Sequence, residues 1–104
     1  MKVTITASGS ISAIVPKVKK LADRMLFTTS IVTPVVSRDG WLLGLTVEFE
    51  PGLATPDDLV RFEKKAIKDG FATMVFLDAS KRKGNVALRL DLLDENGEPT
   101  LKVK

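Results

Sequence analysis

From Leu59 to Ile67 the chain sets Leu59, Phe62 and Ala66 on one stripe, flanked by Val60 and Ile67. Arg61, Lys64, Lys65 and Lys68 fall on the other side, and spacing of this kind predicts an amphipathic helix. Its ends are equally plain. Thr55 is placed to cap the first free N–H groups, and Pro56 stands where a missing N–H costs nothing. Asp57 and Asp58 suit the positive end of the helix dipole, and Gly70 supplies a left-handed stop.

An earlier helix is expected from about Ala13 to Met25. Ile11, Ile14, Val15, Val18, Leu21, Ala22 and Met25 share one arc, and Lys17, Lys20 and Arg24 lie opposite. Pro16 should fall in its first turn, where a proline removes no hydrogen bond.

Elsewhere the period shortens to two, the signature of strands. Val3, Ile5 and Ala7 alternate with Thr4 and Thr6, and Ser8-Gly9-Ser10 then reads as a turn. Leu26 to Val36 is rich in Thr, Val and Ile, and Pro34 within it predicts an edge or bulged strand. Asp39-Gly40 signals a hairpin. After it Trp41, Leu43, Leu45, Val47 and Phe49 should face a core, with Leu42, Gly44, Thr46 and Glu48 facing outward. Phe71 to Leu77 is apolar on both faces, so its phase is open. Ser80-Lys81-Arg82-Lys83-Gly84 reads as a basic hairpin tip and Val86 to Leu92 as a half-buried strand. Leu101 and Val103 suggest a short last strand after the acidic turn Asp94–Glu98.

Two strand–helix–strand crossovers, each right-handed, place both helices on one face of a mostly antiparallel sheet. The expected architecture is a single α+β domain. It is a two-layer sandwich of the ferredoxin-like, split βαβ kind with an appended C-terminal hairpin.

Composition narrows the chemistry more than it identifies it. The 104 residues include no cysteine, no histidine and no tyrosine. Disulfides, thiolate metal sites, cysteine nucleophiles and the usual neutral-pH acid–base are therefore excluded. No apolar run approaches a membrane span, the first residues lack a signal peptide's apolar core, and a cytoplasmic location is expected. The net charge of +3 and a pI near 9.3 lean toward acidic partners.

The expectation is a non-enzymatic binding module without a cofactor. Its basic strips, Lys17, Lys20 and Arg24 with Arg61, Lys64, Lys65 and Lys68, would meet nucleic acid or an acidic protein surface, joined by Lys81, Arg82 and Lys83. The first alternative is a homodimer or larger assembly formed through the uncovered sheet face, with Val32, Val36, Leu42, Met74 and Phe76 supplying apolar contact. The second is a small-molecule-binding protein or enzyme with a pocket near Glu63, the acidic residue inside the apolar arc of the later helix.

Overall fold

The computed structural model describes residues 11–50, 52–77 and 84–102. The expected strand Val3–Ala7, the turn after it and the basic tip Lys81-Arg82-Lys83 lie outside those residues. Among the described residues two helices, α1 (Ile11–Met25) and α2 (Pro56–Lys68), accompany five strands. The strands are β1 (Ile31–Val36), β2 (Trp41–Phe49), β3 (Thr73–Leu77), β4 (Val86–Asp91) and β5 (Leu101–Lys102). All the pairings are antiparallel and the order is β1-β2-β4-β3, with β5 also on β2.

That order is a finding of its own. A split βαβ sheet would put the N-terminal strand between β2 and β3. Here β4 occupies that place and pairs directly with β2 from Gly44↔Asp91 to Phe49↔Val86, so no strand separates them. The described strands form an open antiparallel α+β sheet built on two neighbouring hairpins, not the ferredoxin-like order. Hairpins close short loops and crossovers close long ones, which favours the local pairing of β3 with β4.

Both helices pack on one face, and one core joins them to the sheet. Ile14, Val18 and Ala22 of α1 and Phe62 and Ala66 of α2 meet Leu45, Val47, Phe49, Leu88 and Leu90. Antiparallel partners point to the same side, so the rows Val32–Val47–Leu88 and Pro34–Leu45–Leu90–Met74 lie beneath the helices. Thr33, Thr46, Glu48, Thr73, Val75, Arg89 and Asp91 take the other face. There Arg89 Nε donates to Asp91 Oδ1 at 2.7 Å.

Residue 42 departs from the alternation. The register passes from Val35↔Gly44 to Val36↔Leu42, which leaves Leu43 as a bulge on β2. The extra residue reverses the phase, so Leu42 turns inward and is buried. Pro34 lies on an edge strand as expected, where its missing N–H breaks no ladder. The C-terminal hairpin closes through the Leu93–Pro99 bridge and brings Lys102 over the Trp41 ring at 5.6 Å.

Both helices stop on a residue in the left-handed region. At the end of α2, Phe71 N–H donates to Ala66 O at 3.0 Å and Gly70 N–H to Ile67 O at 3.1 Å, with Gly70 at φ 113°. This is a Schellman ending with glycine in the left-handed position. At the end of α1, Thr28 N–H donates to Asp23 O at 3.2 Å, and the left-handed residue is Phe27 at φ 53°. The strand expected from Leu26 therefore starts only at Ile31, because residues 26–30 form this ending and its return. Pro16 stands exposed inside α1 as described, six positions along rather than in the first turn.

Candidate nucleic-acid interface

Capping places α2. Thr55 Oγ1 accepts from Asp58 N–H at 3.3 Å, and Asp58 Oδ2 accepts from Thr55 N–H at 2.8 Å. The Thr55 N–H holds the Asp58 carboxyl below the usual carboxylate range against the effect of burial, helped by the Thr55 hydroxyl and by Arg61. Arg61 also donates to Asp58 Oδ1, so one cation of the strip is already engaged.

α1 and α2 run antiparallel: Ile14–Leu21 of α1 lie beside Ala66 and Asp69 at the end of α2, and the residues following α1 lie beside Leu53, which precedes α2. At about 100° per residue, Lys17, Lys20 and Arg24 lie on the flank of α1 that also carries Leu21. Arg61, Lys65 and Lys68 lie on the corresponding flank of α2, and Lys64 sits just above them. Ile14, Lys17, Val18 and Leu21 meet Ala66, Asp69 and Phe71 around a cavity of about 20 Å³. Antiparallel neighbours turn like flanks toward each other, so the two basic strips border one groove. The cavity itself has room for about one water.

Lys65 Nζ is held by Asp69 Oδ1 at 3.0 Å. Lys17, Lys20, Arg24, Lys64 and Lys68 are exposed and form no ion pair among the described residues. Five cations thus stand available along the groove, each about one helical turn from the next on its own helix. Lys81, Arg82 and Lys83 fall outside the described residues.

The apolar set expected on the open sheet face is not gathered there. Leu42 is buried, for the bulge at Leu43 turns it inward. Val32 and Met74 pack against the core on the helix side, since even positions of β1 and β3 face the helices. Val36 is exposed at the margin of that same side, and the side chain of Phe76 is outside the description. The open face instead carries Thr, Glu, Arg and Asp, with Val75 at 38% exposure among them. Glu63 is half-buried and lines neither of the two cavities described here. Among the described residues no cluster of three acidic side chains gathers as a metal site.

Sequence reasoning missed a second surface. A hollow of about 910 Å³ lies at the end of the sheet where α1 stops and α2 begins. Phe27, Thr29, Ile31, Glu50, Leu53 and Asn85 are among its walls. Phe27 is 55% exposed and Leu53 72%. No sequence signal marks Phe27, because the position it fills in a helix ending ordinarily carries glycine.

The Asp23 carboxylate steadies this turn. Its Oδ1 accepts from Ser30 N–H at 2.7 Å and from the Ser30 hydroxyl, and its Oδ2 accepts from Lys19 Nζ at 2.7 Å. Burial pushes the Asp23 acid upward, but these hydrogen bonds and the charge of Lys19 together bring it below the ordinary carboxylate value. The stabilisation is therefore fully present above the unfolded value near pH 4 and is lost as pH falls through the lower folded value. Asp23→Asn is expected to cost about 1–2 kcal/mol at neutral pH. Urea melts should show the gap between variant and parent closing below about pH 4. An undiminished gap at acid pH would show that the carboxylate charge is not what holds the turn.

No protein-family model, curated protein or solved structure matches this chain.

Proposed function

We propose that this protein is a non-enzymatic module that binds nucleic acid along the groove between α1 and α2. The observation that carries the reading is the row of Lys17, Lys20 and Arg24 along α1 and of Lys64 and Lys68 along α2, all exposed and without carboxylate partners among the described residues. Cations recurring at each turn, about 5 Å apart along a helix, suit a polymer that repeats its charge at regular intervals. An acidic protein surface offers no such regularity, and that favours the polynucleotide. Arg61 and Lys65, tied to Asp58 and Asp69, brace the groove and contribute less to binding. A cytoplasmic location goes with this reading.

Neutralising about five phosphates predicts that affinity falls by roughly one hundred to five hundredfold between 50 and 200 mM salt. Fluorescence anisotropy with a labelled oligonucleotide reads this directly. Replacing Lys64 and Lys68 together by glutamate should weaken binding more than tenfold and flatten the salt slope, because two counterion-releasing contacts become repulsive. Both side chains are exposed, so the melting temperature should hardly move. Binding that ignores salt, or a double variant that binds like the parent, overturns the reading.

A further inference from the structure

Phe27 stands in a backbone conformation that a bulky side chain adopts at a cost, whereas at the end of α2 the left-handed residue is a glycine. Packing does not account for the phenylalanine: the neighbouring Leu26 is fully buried, while Phe27 is more than half exposed. An outlier of this sort, fastened by the Asp23–Ser30 hydrogen bonds, presents its ring to the hollow.

The hollow has the makings of a base site. Phe27 offers a stacking face, and Leu53 and Ile31 offer apolar walls. Thr29, Asn85 and Glu50 bring hydroxyl, amide and carboxylate groups suited to the donors and acceptors of a base edge. The line Lys17–Lys20–Arg24 runs along α1 and ends one turn before Phe27, so a strand following those cations arrives at the ring. Among the described residues of the hollow Glu50 carries the charge, which suits a neutral base there and its phosphates back along α1.

We infer that the protein prefers single-stranded nucleic acid and holds one base stacked on Phe27 in the hollow formed by Thr29, Glu50, Leu53 and Asn85. This rests on the basic-groove reading and narrows it. A paired, stacked duplex cannot present a base to the ring, whereas a single strand can.

The experiment compares the parent, Phe27→Gly and Phe27→Tyr by anisotropy, using a labelled oligothymidine strand and a duplex of the same length. The parent should bind the single strand more tightly. Phe27→Gly should weaken that binding roughly tenfold, leave duplex binding unchanged and melt no lower than the parent. Phe27→Tyr should retain the preference. If Phe27→Gly binds the single strand like the parent, or weakens both ligands equally, the base site is overturned while the groove stands. If the parent binds neither ligand, both proposals fall.

Discussion

Phe62→Ala should cost about 3–5 kcal/mol of stability, the largest loss expected from any single truncation on either helix. Phe62 is fully buried and is the one aromatic that α2 sends into the core shared with Ile14 and Val18 of α1. Removing the ring forfeits its transfer free energy. It also leaves a void that two helices and a sheet cannot all close at once. For a domain whose total stability is about 5–15 kcal/mol, the change would move the urea midpoint far toward zero. Val60→Ala on the same helix is the control. Val60 is exposed, and its truncation should cost less than about 0.5 kcal/mol. A loss below about 1 kcal/mol for Phe62→Ala would mean that α2 does not seal the core.

Gly44→Ala comes next, and it acts through backbone rather than volume. A methyl at residue 44 would press into the carbonyl oxygen of Leu90 and come within 3.3 Å of Asp91 Cα. Neither can swing aside as a side chain would. The substitution therefore has to part β2 from β4 at the bulge, where Gly44 pairs with both Val35 and Asp91. Overpacking against fixed backbone suggests a cost of about 3 kcal/mol. Amide hydrogen exchange should locate the damage, with protection lost first around Leu43, Leu90 and Leu92. A variant as stable as the parent would show that the two strands can separate freely there.

The later helix was legible at both ends because side chains write both of its caps: Thr55 and Pro56 at the start, Gly70 at the stop. Its basic face was legible too, since period and polarity agree along α2. The end of α1 is hidden because Phe27 holds the place that glycine ordinarily fills, so the pattern starts the strand five residues early, at Leu26 rather than Ile31. Strict alternation sets Leu42 outward because it carries no mark of a bulge. Sheet order was less legible still. A period of two says which face a residue takes but not which strand lies beside it, so β4 could not be set at the centre by pattern alone. The relation of the two basic strips depended on helix direction and packing, and the hollow on three loops that converge only in the fold.

Phe27→Gly bears on stability as well as on binding. Relieving a left-handed phenylalanine should raise stability by about 1 kcal/mol, readable as a higher thermal midpoint. A fall instead would show that the ring packs in solution more than its exposure indicates.

The central place of β4 has a consequence for the newborn chain. β2 meets its inner neighbour only when residues 86–91 have been made, about 40 residues after Phe49. At about 5–20 residues per second, a ribosome leaves that interval open for some two to eight seconds. Until then β2 lacks the neighbour that its backbone groups from Gly44 to Phe49 will pair with, and the edge left open is the one that later becomes the middle of the molecule.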